Sequence, residues 1–161
     1  MQPIEDEIRV LAPNGVCGSG FLESSFEQGL SQNPHFIGVD AGSTDPGPEY
    51  LGDSKTAFPL AAIRRDLRLM LLGARRINVP LMIGTAGTGG NDEQLELIAK
   101  MLLEIAAAEN LSFKLALIHA EQKKDYLTKR LREGRIKPLA PAPDFDEAVI
   151  ERSAHIVGMM G

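Results

Sequence analysis

The chain has no tryptophan, and aromatic residues make up only 5% of it. A sequence this poor in rings has little with which to stack bases or sugars. It has one cysteine, Cys17. Neither an intrachain disulfide nor a cysteine-rich zinc site can therefore form. Basic residues are in deficit, 17 against 22 acidic ones, for a net charge of −5. Such a chain lacks the positive field that gathers nucleic acid or anionic lipid, so neither a nucleic-acid partner nor a membrane partner is expected. No apolar run approaches the ~18–20 residues that span a bilayer. The opening MQPIEDEIRV has neither the basic nor the apolar region of a secretory signal, which makes a reducing, cytoplasmic location the default. What is present is the material of one folded domain: 161 residues, 43% apolar and 24% charged.

Short apolar runs alternate with longer helical stretches. The runs are Ile8–Leu11, Phe36–Val39, Leu81–Gly84 and Leu115–Ile118, each nearly all apolar, as in strands buried on both faces. Each is followed by a turn-forming segment: PNGVCGSG, DAGSTDPGP, GTAGTGGND and HAEQ. Helices are expected at about 22–30, 57–77, 92–109 and 123–133. The second carries Leu60, Ile63, Leu67, Met70 and Leu71 at spacings of three and four, with arginines on the remaining surface. The third has Asn91 or Asp92 as its cap and Leu95, Ile98, Leu102 and Ile105 as its buried stripe. This alternation predicts a three-layer α/β fold, Rossmann-like or flavodoxin-like, with a mostly parallel sheet and helices on both faces.

The tail differs in character. KPLAPAPDFDE reads as an extended connector, followed by a last helix from about Asp146 to Val157 and the terminal GMMG. Residues 1–136 are thus expected to form the α/β ligand-binding domain, and residues 137–161 a connector and the start of a further segment. The ending reads as a chain cut short.

In an open parallel sheet, ligands bind outside the carboxyl ends of the strands, where all four turn segments would lie. The run Gly84, Thr85, Ala86, Gly87, Thr88, Gly89, Gly90, Asn91 precedes a helix. Glycines admit close approach, and the helix start offers free N–H groups and a positive dipole end. A phosphate, a carboxylate or the carbonyl of an acyl thioester would suit it; a tight packing turn is the plainer alternative. No lysine follows, so it is not a P-loop. Asp40, Ser43, Thr44 and Asp45 sit together after the second run, where carboxylates and hydroxyls could hold a divalent cation such as Mg²⁺ or pass a proton. The alternative is that they only stabilise the turn. His119 and Glu121 stand at the end of the fourth run, an imidazole near a carboxylate. Asp40 and His119 are the proton-transfer candidates, and the other residues named would line the cleft. Cys17 has no base beside it in sequence and reads as a small buried thiol. His35 and His155 are expected to lie away from the site.

The segments GVDAGSTDPGPEYLG, RRDLRLMLLGARRINVPLMIGTAGTGGND, LALIHAEQKKDYL and ERSAHIVGMMG, in this order, resemble the acyclic terpene utilisation AtuA family. That family is considerably longer than this chain and continues past the MMG. The resemblance implies a catabolic protein concerned with acyclic terpenes or other branched acids, handled as small anionic metabolites or acyl-CoA derivatives. It assigns no reaction and no catalytic residues. A non-catalytic ligand-binding or partner subunit of a catabolic enzyme is the alternative, and a homo-oligomer is left open.

Overall fold

The computed structural model describes residues 7–42 and 48–158. Its sheet has three strands, β1 (Val10–Leu11), β2 (Phe36–Gly42) and β3 (Leu81–Thr88), all parallel and side by side in chain order. Helix α1 (Glu23–Leu30) joins β1 to β2. The short α2 (Pro48–Gly52) and the long α3 (Leu60–Ile77) join β2 to β3. Helices α4 (Asp92–Ala108), α5 (Lys124–Arg132) and α6 (Glu147–Arg152) follow. The expected α/β class with a parallel sheet is therefore present.

The long helices begin and end where their residues dictate. Asn91 caps α4 by accepting from the Gln94 N–H, and the Gln94 side chain returns the bond to the Asn91 N–H, a complete capping box. Asn78 ends α3 in the left-handed conformation, at φ 56°. Its apolar stripe is buried, with Leu67 and Met70 fully inaccessible. Burial of one such side chain contributes about 1.5–3 kcal/mol.

Two elements differ from expectation. The run Leu115–Ile118 forms no strand: Leu115, Leu117 and Ile118 are exposed and join no ladder among the described residues. An apolar run becomes a strand only where an edge supplies hydrogen bonds and a face accepts its side chains. Here the chain pairs just beyond it instead. Gln122 N donates to Ile156 O at 2.7 Å and Gly158 N to Ala120 O at 2.8 Å, across an antiparallel bridge between Glu121 and Val157. That pairing also shortens the last helix, which ends at Arg152 because residues 156–158 are drawn into extended contact.

Strand order explains how the layers are arranged. Right-handed crossovers that step in one direction, β1 to β2 to β3, place their helices on the same face. Accordingly α1, α3 and α4 share one core with Ile37, Val39 and Ala41 of β2. Arginines of α3 bind acidic residues on either side, Arg76 to Glu27 of α1 and Arg64 to Glu104 of α4. The alternate residues of the sheet face away from that core, and Val10 and Met82 are 52% and 53% exposed. Of the three layers expected, the described residues build these two.

The glycine-rich segment after β1 is held by a carboxylate from α3. Fully buried Asp66 accepts through Oδ2 from Gly18 N at 2.9 Å, Gly20 N at 3.1 Å and Asn14 Nδ2 at 3.1 Å. Arg65 Nη1 meets its other oxygen at 2.9 Å. Asp66→Ala would leave these donors without an acceptor, and a buried unpaired donor costs about 1–3 kcal/mol. The expected loss is about 3 kcal/mol in urea denaturation, whereas a change below about 1 kcal/mol would show that the loop does not depend on Asp66.

Candidate functional site

The glycine-rich segment expected to hold an anion lies where β3 passes into α4. Strand β3 is longer than its apolar run and continues through Gly84, Thr85, Gly87 and Thr88, with a bulge opposite Asp40 and Gly42. Only Gly89 and Gly90 remain as the turn before Asn91. Thr85, Gly87, Thr88 and Gly90 all have positive φ. At Gly89 it is close approach that demands glycine: a Cβ there would come 2.8 Å from the Leu51 Cα. Thr88 is buried, and its hydroxyl accepts from Ala57 N at 2.9 Å.

The donors of this turn are largely satisfied from within. Gln94 Oε1 accepts from Gly89 N at 2.9 Å and from Asn91 N at 3.3 Å. Asn91 Oδ1 accepts from Gln94 N at 2.9 Å. The first N–H of the helix, that of Asp92, donates to Glu121 Oε2 at 3.0 Å. The negative group that a helix N-terminus favours is thus the Glu121 carboxylate. The glycine turn is accordingly arranged to bring side chains together.

Those side chains form one connected network. His119, 50% exposed, bonds through Nδ1 to Asp92 Oδ1 at 2.9 Å. Glu121 Oε1 meets His155 Nδ1 at 2.6 Å, with side-chain exposures of 23% and 18% for the two residues. His155 Nε2 lies 3.3 Å from Ser54 Oγ, and Ser54 Oγ accepts from Asn91 Nδ2 at 2.8 Å. Asn91 and Gln94 also hold the segment carrying Ser54: Asn91 Nδ2 donates to Leu51 O, and Gln94 Nε2 donates to Tyr50 O and Lys55 O.

No family model, curated protein or solved structure matches the chain. The site is therefore read from its own geometry. Of the candidate residues, His119, Glu121 and Asn91 meet in the network, and the Gly84–Gly90 segment supports it. Asp40 is exposed; its Oδ1 accepts from Gly42 N at 3.0 Å, and no described hydrogen bond joins it to His119. Ser43, Thr44 and Asp45 lie outside the described residues. Among the described residues no group of three or more His, Cys, Asp or Glu is placed to hold a metal ion, and no helix is long and apolar enough to cross a membrane.

His155 corrects the sequence reading. It was expected on a helix away from the site, and it joins the site because that helix stops early and residues 156–158 pair with 120–122. Ser54 was not singled out. Its one sequence signal was the turn-forming LGDS run, which gives no indication of a histidine about a hundred residues away.

Cys17 is buried, and its thiol is pushed up from 9.0 to about 12, first by burial and then by the charge of Asp66. Well below pH 9 the thiol is mostly protonated in both folded and unfolded chains, and the unfolded chain carries the larger thiolate fraction. Between about 9 and 12 only the unfolded chain ionises, so stability falls as pH rises through that window. At pH 8 the folded chain should resist iodoacetamide and the urea-unfolded chain should react. Equal rates in the two states would contradict the burial.

Proposed function

We propose that the chain is the α/β part of an AtuA-type catabolic protein, binding a small carboxylic acid or its coenzyme A thioester at the carboxyl edge of the sheet. The observation that carries this reading is the setting of His119. Its Nδ1 is held by an Asp92 carboxylate that can only accept, so the neutral ring keeps its proton on Nδ1 and presents a lone pair at Nε2. No described residue engages Nε2, and the ring is half exposed. An imidazole oriented by a carboxylate in this way can take a proton from a bound acid derivative, or give one when protonated. Because the N–H groups of Gly89, Asn91, Asp92 and Gln94 already serve Gln94, Asn91 and Glu121, the ligand meets the His119 imidazole instead of a set of free backbone donors. This favours the acyl end of the molecule over a phosphate as the group held at the turn.

The expected outcome is saturable one-to-one binding of isovaleryl-CoA or free isovalerate in calorimetric titration. At about 100 times the dissociation constant, the ligand should add about 2.7 kcal/mol of stability. His119→Ala should weaken binding about tenfold, the equivalent of one hydrogen bond of about 1.4 kcal/mol, with the thermal midpoint of the free protein unchanged. Absence of binding by both the acid and the thioester would remove this reading.

A further inference from the structure

We propose that Ser54, His155 and Glu121 form a nucleophilic triad that cleaves an acyl thioester, a step that rests on the reading of an acyl compound as the ligand. The hydrogen bonds leave only one direction for each proton. The Gln94 and Asp92 N–H groups can only donate. Gln94 N donates to Asn91 Oδ1, so the opposite end of that amide, Nδ2, must be what donates to Ser54 Oγ. Asp92 N donates to Glu121 Oε2, and the other carboxylate oxygen accepts from His155 Nδ1. The neutral His155 ring therefore has its lone pair on Nε2, facing Ser54 Oγ at 3.3 Å. Ser54 Oγ receives one bond from Asn91 and has its own proton to give, and His155 is placed to take it. This is the logic of a nucleophile, a base, and a third group that orients the base.

The backbone supports this assignment. Ser54 is a non-glycine residue at φ 53°, on the turn just after α2, and is only partly buried. Such a conformation is uncommon for serine and is retained where surrounding structure imposes it. Here the buried amides of Asn91 and Gln94 impose it through Leu51, Tyr50 and Lys55. His155 is held by the bridge between 120–122 and 156–158. The nucleophile and its base are thus each fixed by an independent part of the chain.

The step balances with water as the only co-reactant. Ser54 Oγ forms a bond to the acyl carbon while its proton passes to His155 Nε2. The C–S bond breaks, and the sulfur leaves with the electron pair and takes that proton as a thiol. Water then adds to the acyl ester, giving a proton to His155. The C–Oγ bond breaks and Ser54 recovers the proton, so thioester and water become carboxylic acid and thiol. Ser54 and His155 are the catalytic residues, and Glu121 is a positioning residue.

The test is labelling of the whole chain with an alkyl fluorophosphonate, with the adduct located by peptide mass spectrometry. The expected result is an adduct on Ser54. Ser54→Gly accepts the left-handed backbone, removes the hydroxyl and should abolish the adduct. His155→Gln should slow labelling at least about 100-fold. Glu121→Gln should lower the limiting labelling rate about tenfold while the half-saturating probe concentration stays the same, a split that a purely structural role would not produce. A chain that melts cooperatively yet gains no adduct on Ser54, or labels equally fast as His155→Gln, would overturn the triad. Retained isovaleryl-CoA binding without an adduct would reject the triad and leave the binding reading intact. An adduct on Ser54 in a chain that binds no acyl thioester would keep the nucleophile and overturn the reading of its ligand.

Discussion

Two buried side-chain amides, Asn91 and Gln94, hold the junction of β3 and α4 to the rest of the molecule. A buried amide left without partners is costly, so the surrounding backbone must supply them. Gln94 takes the N–H groups of Gly89 and Asn91 on one side and the carbonyls of Tyr50 and Lys55 on the other. Asn91 takes the helix N–H of Gln94 and gives bonds to Leu51 O and Ser54 Oγ. Start of helix, glycine turn and the α2 segment are thereby one unit. Glycine at 89 follows from the same constraint, because Leu51 lies where a side chain would go.

Charge is handled by a parallel rule. The glycine-rich segment after β1 and the first residue of α4 each present backbone N–H to a carboxylate belonging to the protein. Asp66 serves the segment after β1, and Glu121 serves the start of α4. Internal anions of this kind stabilise the loops without a ligand, and they do different things beyond that. Asp66 is fully buried and bound by donors on both oxygens, so it is structural. Glu121 is reachable by solvent and turns its second oxygen to an imidazole. That difference separates a carboxylate that holds a loop from one that orients a reactive group.

The helices of the fold were largely legible in the sequence, because apolar spacing and capping are local properties. The stripe from Ile63 to Leu71 had to be buried somewhere, and Asn91 or Asp92 ahead of Leu95, Ile98, Leu102 and Ile105 marks a helix start. Strands were legible only in part. Ile37 and Val39 found a neighbouring edge; Leu115–Ile118 is just as apolar a run and found none among the described residues. Composition states that a segment can pair, and pairing is decided by which edge is left for it. The arrangement of layers has the same origin, since strands in the order β1-β2-β3 never reverse direction and their crossovers stay on one face.

For the site, the sequence alone determined that a histidine and a carboxylate, His119 and Glu121, stand beside each other in the chain. It also determined that a glycine-rich turn leads into a capped helix. Only the tertiary structure decided that Glu121 fills that helix start, that Asp40 stays exposed, and that Ser54 and His155 meet. The reason is physical: hydrogen bonds between residues 37 and 101 positions apart carry no periodicity and no local preference. They exist because two buried amides and a short antiparallel bridge hold distant segments at bonding distance, and that information resides in the folded chain.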